Sequence, residues 1–252
     1  MSSPKKSAAD IPAKLKSEIS SAKVANAWSA LSQSMKRVTQ LGNELGSDHV
    51  DLLSKSYQNV VDVRRSLLRM YQSIEKKTEG SEKKQQMAKE YREKVQKELE
   101  GICKEVIELL DKFLILKTGN LDVKLLYLKM KGDYYRYLAE VATGEDRSGY
   151  LLNSQHSYQE AYDTLNDEPV SPKRLGLALN FSVLYYDVLN APDKACQLAK
   201  QAIDNVDASG AELVPDSTLI MELLRDNLKL WTSDTAADDQ NAADEMGETG
   251  GI

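Results

Sequence analysis

The residues of this 252-residue chain with the most evident chemistry are cations set among aromatic and apolar neighbours. In Tyr127-Leu-Lys-Met-Lys-Gly-Asp-Tyr-Tyr-Arg-Tyr137, Arg136 stands among four tyrosines, and Lys129 lies seven residues earlier, on the same face of a helix. A guanidinium fork beside a phenolic hydroxyl is a good receptor for a phosphate dianion, whose oxygens accept several charge-assisted hydrogen bonds. The same residues would equally serve a structural stacking network. Gln58, Arg65 and Arg69, at i, i+7 and i+11, line a second helical face, as a binding surface or as a solvated basic stripe. Arg64 beside Arg65 leaves open which arginine matters.

Two later segments carry a different chemistry. In Leu175-Gly-Leu-Ala-Leu-Asn-Phe-Ser-Val-Leu-Tyr-Tyr-Asp187, Asn180 and Asp187 share a face, with Leu179 and Val183 beside them. In Leu219-Ile-Met-Glu-Leu-Leu-Arg-Asp-Asn-Leu-Lys-Leu-Trp231, Leu223, Asn227 and Trp231 follow one another at intervals of four. These are either core faces with satisfied amides or an amphipathic wall. In the second case the amides would bond the backbone of an extended peptide while Leu, Val and Trp pack on its side chains.

Catalytic patterns are missing. There is no Gly-rich nucleotide loop, no His-Glu-x-x-His and no Gly-x-Ser-x-Gly, and His49 and His156 are the sole histidines. Cys103 and Cys196 form no Cys-x-x-Cys pair, and Cys103 reads as a core thiol in a long helix. The expectation is therefore a protein with no catalytic residues, no metal and no cofactor.

The formal charge of −6 arises from 33 basic and 39 acidic residues, but Asp234, Asp238, Asp239, Asp244, Glu245 and Glu248 lie beyond the last cation, Lys229. Residues 1–233 are thus neutral, which excludes a protein-wide basic field for nucleic acid but not a local basic pocket. No run approaches the roughly 20 apolar residues that cross a bilayer, and the start lacks the apolar core of a signal peptide. A soluble, cytoplasmic protein with no membrane or nucleic-acid partner is expected, with nuclear presence compatible.

The elements that must position these residues read as helices. Long stretches lack Gly and Pro, and Glu82, Gln86, Glu90, Lys94 and Glu98 recur at intervals of four. Breakers at Gly46, Gly119, Gly144, Pro169, Pro192 and Gly210 to Pro215 divide the chain into intervals of one helix or two each, about nine helices in all: 12–24, 28–42, 48–77, 82–116, 121–142, 147–165, 172–189, 193–207 and 216–231. Asp48 and Asp216 are placed to cap the helices that follow them. Short turns favour antiparallel neighbours, in a bundle or a stack of helix pairs without a tetratricopeptide period. The expected organisation is a mobile N-terminal segment 1–11, one helical domain 12–233 and a disordered acidic tail 234–252.

Four segments carry a resemblance. Ser56-Tyr-Gln-Asn-Val-Val-Asp-Val-Arg-Arg65, Lys131-Gly-Asp-Tyr-Tyr-Arg-Tyr-Leu-Ala-Glu-Val141, Arg174-Leu-Gly-Leu-Ala-Leu-Asn-Phe-Ser-Val183 and Ser217-Thr-Leu-Ile-Met-Glu-Leu-Leu-Arg-Asp-Asn-Leu-Lys-Leu-Trp-Thr-Ser-Asp234 resemble the 14-3-3 proteins, in the right order between about residues 28 and 234. The resemblance implies an all-α, cup-shaped bundle with a concave amphipathic groove. It implies a non-catalytic adaptor that binds phosphoserine or phosphothreonine segments of partner proteins. By position, Arg65, Arg136 and Tyr137 match the phosphate-binding residues and Lys129 the groove lysine. Asn180 and Asn227 match the backbone-clamping amides, and Leu179, Val183, Leu223 and Trp231 match the apolar wall. Asp187 stands where the family usually has Glu.

Two departures bear on function. Gln58 occupies the place of a phosphate-facing lysine, so weaker phosphate affinity is expected. Family members dimerise through an Arg-Tyr-Asp-Asp segment, replaced here by Ala27-Trp28-Ser29-Ala30, while the opposing helix keeps Tyr91, Lys94 and Glu98. The expectation is a weakened homodimer, with monomer or heterodimer as alternatives. Leu67 replaces a serine that relatives often carry. The competing reading is a phosphate-independent helical scaffold or a heterodimerising regulatory subunit.

Overall fold

A computed structural model describes the backbone of residues 13–248, except Glu79, Asn166, Asp167 and Pro169, and side chains within residues 23–233. The expected N-terminal segment 1–11 and residues 249–252 of the expected tail lie outside the described residues. The described chain is all-α. Its helices are α1 (Ala13–Gln40), α2 (Ser47–Lys77), α3 (Glu82–Leu109), α4 (Leu121–Val141), α5 (Gly144–Asp163), α6 (Pro172–Val183), α7 (Pro192–Ser209) and α8 (Pro215–Glu248).

Several boundaries differ from the sequence expectation, each for a local reason. The two helices expected over 12–24 and 28–42 are one, α1, because Val24-Ala-Asn-Ala-Trp28 contains neither Gly nor Pro to interrupt it. Asp48 and Asp216 do not cap. They lie in the first turns of α2 and α8, where a carboxylate faces the positive end of the helix dipole. The helix expected to stop at residue 231 continues to Glu248, into the segment expected to be disordered.

Helices α3 and α6 both close on a π-turn, Leu110–Leu114 and Leu184–Val188 respectively. In the second, the Leu189 amide donates to the Leu184 carbonyl at 3.0 Å. The Val188 carbonyl accepts from Arg147 Nη2 at 2.8 Å. Asn190 then takes a left-handed conformation (φ 49°), which ends the helix and turns the chain toward Pro192.

The helices sort into two compact units, Met1–Val123 and Lys124–Ile252. In the first, Leu53, Tyr57, Val60 and Val61 of α2 are buried, as are Leu99, Cys103 and Val106 of α3. Tyr57 donates to Glu105 Oε1 and Lys36 to Glu105 Oε2, both at 2.6 Å, which ties the three helices together through one carboxylate. Burial, reinforced by Glu105, pushes the Tyr57 hydroxyl far above its usual range, so it stays a donor.

In the second unit, Tyr158 of α5 stacks on Phe181 of α6 at 5.8 Å, and Phe181 stacks on Tyr185 at 4.8 Å. Helices α4 and α5 meet at Gly132, where an added Cβ would lie only 3.0 Å from the Tyr158 ring. Ser154 Oγ donates to the Gly132 carbonyl at 2.8 Å across the same contact. This approach brings the Tyr158 hydroxyl to the residue next to Gly132.

Candidate functional site

That residue is Asp133, a carboxylate only 7% exposed and held by three donors. Lys129 Nζ donates to Oδ2 at 2.7 Å, Arg136 Nη2 donates to Oδ1 at 3.2 Å, and the Tyr158 hydroxyl donates to Oδ1. The spacing on α4 explains the convergence, since residues at i−4 and i+3 flank position 133 on one helix face. Burial works against the carboxylate's charge, but Lys129 and Arg136 hold it below the usual carboxylate range. The Tyr158 hydroxyl is pushed well above the phenol range, by burial first and by Asp133 second.

Arg136 is itself largely buried, its side chain 13% exposed. Burial alone would lower its affinity for the proton, but Tyr158, Asp133, Tyr137 and Glu140 outweigh it and the guanidinium stays charged. Its Nη1 donates to Glu140 Oε1 at 3.1 Å, and its plane lies over the Tyr137 ring at 4.7 Å. The Nε–H has no acceptor among the described residues. The tyrosines therefore act partly as the stacking network that the sequence left open: Tyr134 and Tyr137 pack edge to face at 5.6 Å. The same network holds a charged fork in a fixed orientation, which is what recognition of an oxyanion requires.

In the first unit the structure separates two neighbouring arginines. Arg64 reaches α3, with its Nε 3.7 Å from Glu98 Oε2. Arg65 stays on the Gln58 face, where Nη1 is 4.0 Å from Asp62 Oδ1, and Gln58 Nε2 donates to the same oxygen at 3.0 Å. Gln58 and Arg65 are both half-buried, whereas Arg69 is exposed and bonds Ser66 Oγ.

The amphipathic segments of the second unit also keep polar groups near the surface. Leu179, Asn180 and Val183 are half-buried on α6, and Asp187 is exposed on the π-turn. Asn180 Nδ2 donates to the Gly176 carbonyl at 2.7 Å, which fixes the amide and leaves its oxygen as an acceptor. On α8, Leu223 is 44% exposed and Asn227 half-buried. Trp231 is buried, stacked on Tyr186 at 4.9 Å.

No cluster of metal-ligating residues occurs among the described residues. Both histidines are exposed, and Cys103 is buried as expected of a core thiol. Burial, then Asp193, raises the Cys196 thiol, which makes it a poor nucleophile at neutral pH. No helix among the described residues is long and apolar enough to cross a membrane.

The sequence matches the model of the 14-3-3 protein family over residues 19–232. The chain belongs to the 14-3-3 family. It is 60% identical to 14-3-3-like protein 2 of Caenorhabditis elegans over 90% of this chain and 94% of that protein. It is 56% identical to 14-3-3 protein zeta of Bombyx mori, over 88% and 93% of the two chains. With 14-3-3 protein beta/alpha-B of Xenopus laevis it shares 54% over 85% and 91%. Membership of this family of non-catalytic adaptors agrees with the missing catalytic set and supports a role in binding phosphorylated partner proteins.

Within a 14-3-3 chain the residues that the sequence missed are Asp62, Asp133, Glu140 and Tyr158. Asp133 was visible in principle, as an acid one turn from Lys129 and one turn from Arg136 in an apolar helix. Tyr158 was not, because its 25-residue separation from Asp133 is closed only by helix packing.

Proposed function

We propose that this 14-3-3 protein is a cytoplasmic adaptor that recognises phosphoserine or phosphothreonine in extended segments of partner proteins. Arg136 and Tyr137, with Lys129 nearby, receive the phosphate, and Arg65 and Gln58 keep the phosphate-binding role that the family resemblance gives them. Asn180, Asn227 and Asp187 hold the ligand backbone, and Leu179, Val183, Leu223 and Trp231 pack its side chains. The observation that carries this reading is the buried Arg136 fork, fixed by Asp133 and Glu140 and backed by the Tyr137 ring. Titration of matched phosphorylated and unphosphorylated peptides tests it. A clear preference for the phosphorylated form is expected, and equal affinity for the two would instead favour a phosphate-independent scaffold.

Gln58 sets the affinity lower than a lysine would. A neutral donor contributes about 0.5–1.5 kcal/mol to a hydrogen bond and a charged one about 1.5–3. Gln58→Lys is therefore expected to tighten a phosphopeptide about five- to tenfold, the equivalent of roughly 1–1.4 kcal/mol. An unchanged dissociation constant would mean that Asp62, already bonded to Gln58, neutralises the new charge.

The assembly reading is a weakened homodimer. Ala27 and Ala30 are exposed and bring no charge, Trp28 is half-buried, and Lys94 is exposed. Tyr91 is 50% exposed and stacks on Tyr71 of its own chain at 5.7 Å. Glu98 is not left without a partner, because Arg64 lies 3.7 Å away in the same chain. Losing a cross-chain ion pair therefore leaves no stranded carboxylate, and the monomer is less penalised than the sequence suggested. Sedimentation velocity at micromolar concentration is expected to show a substantial monomer population; a single dimer boundary would overturn this reading.

A further inference from the structure

Two carboxylates share Arg136, and they are not equivalent. Asp133 is 7% exposed and is also bonded by Lys129 and Tyr158, so removing it from the fork would break three bonds in a buried setting. Glu140 sits in the last turn of α4 with its side chain 28% exposed, and it reaches back one turn to Nη1. Its rotation toward water gives up the pair with Arg136 at a part-exposed site, where an ion pair contributes little.

The formal charges of this group cancel, since Lys129 and Arg136 are balanced by Asp133 and Glu140. A phosphate dianion bonded at Nη1 would stand beside the Glu140 carboxylate, and like charges at that separation repel. One carboxylate has to yield, and the burial difference selects Glu140.

We propose that Glu140 is an affinity-setting residue of the phosphate site: it accepts one N–H of Arg136 Nη1, sets a carboxylate beside that nitrogen, and must rotate away before a phosphate dianion can bond there. The proposal rests on the reading of Arg136 as the phosphate receptor. Because Glu140 acts through Arg136, it is a positioning residue and a competitor rather than a ligand contact. It raises the threshold an anion has to pass, so a dianion displaces it more readily than a peptide carboxylate does.

The test uses the full chain and three fluorescent peptides of one sequence, carrying phosphoserine, glutamate or serine at the central position. Glu140→Gln is expected to tighten the phosphoserine peptide about two- to fivefold, the range of a part-exposed ion pair, and to leave the serine peptide unchanged. Glu140→Ala, measured in the same way, separates loss of the charge from any new amide contact. In an Arg136→Lys background, which removes the fork, the gain should vanish, whereas a general structural effect would persist. Unchanged or weaker phosphoserine binding in both Glu140 variants, with the wild type still preferring phosphoserine to serine, overturns this inference and leaves the adaptor reading standing. If the wild type shows no preference, the adaptor reading itself fails.

Discussion

Replacing Arg136 by alanine is expected to weaken phosphopeptide binding about a hundredfold or more. A guanidinium can present two charge-assisted hydrogen bonds to a phosphate, each contributing about 1.5–3 kcal/mol, so loss of the fork amounts to roughly 3 kcal/mol or more. The unphosphorylated peptide should be little affected, since the apolar wall and the amides of α6 and α8 are untouched. Arg136→Lys distinguishes charge from geometry: it retains a cation near Asp133 but not the planar fork, and should recover only part of the affinity. Because Arg136→Ala also removes a partner from buried Asp133, its thermal midpoint has to be measured beside its affinity. Unchanged phosphopeptide affinity in a folded Arg136→Ala protein would refute the phosphate assignment.

The largest stability effect is expected at Asp133. Taking one member out of a buried ion pair typically costs about 3–5 kcal/mol, because the remaining charge loses its partner without regaining water. Asp133→Ala would strand Arg136, relieved in part by Glu140, and would leave the Tyr158 hydroxyl in a buried site without its acceptor. Denaturant titration should show this loss as a lower midpoint. Asp133→Asn, which keeps an acceptor oxygen but not the charge, should lose less.

The pH dependence follows from the direction of the Asp133 shift. Its carboxylate is held below the usual range by Lys129 and Arg136 against the opposing effect of burial, so it binds a proton less readily when folded than when unfolded. The stability it contributes is fully present above the unfolded carboxylate value of about 4 and is lost as pH falls toward and through the depressed folded value. The difference in unfolding free energy between wild type and Asp133→Ala should therefore shrink on acidification below about pH 4 and stay constant above about pH 6. A difference that is flat across the acid range would show that the carboxylate contributes through packing rather than charge.

The helical class was legible because Gly and Pro are confined to a few places and the apolar spacing in between is helical. What was not legible is how helices join and end. The sequence near residue 25 lacks breakers, yet two helices were expected where α1 is continuous. The π-turn at Leu184–Val188 ends where Arg147, 41 residues away, takes up the Val188 carbonyl, a partner that local sequence does not reveal. In the candidate site, the spacing of Lys129, Arg136 and Tyr137 placed those residues together, but did not show what anchors Asp133 beside Arg136. That anchor is a tyrosine brought in by α5 across Gly132, which donates to Asp133, and a close approach between helices leaves little trace in local sequence. The different surroundings of Arg64 and Arg65 likewise come from a contact of Arg64 with α3 rather than from anything within α2.

The fork held between the turns at Asp133 and Glu140 also bears on time. A long, flexible arginine would have to surrender rotamer freedom each time a partner arrived, at a cost of about 0.5–1.5 kcal/mol. Here that freedom is given up once, when the chain folds around Asp133. If Arg136 receives the phosphate, encounter needs the swing of Glu140 but no reordering of the fork, and partners that reach it at similar rates are sorted by how long they remain, so their ranking belongs to residence time rather than to speed of capture.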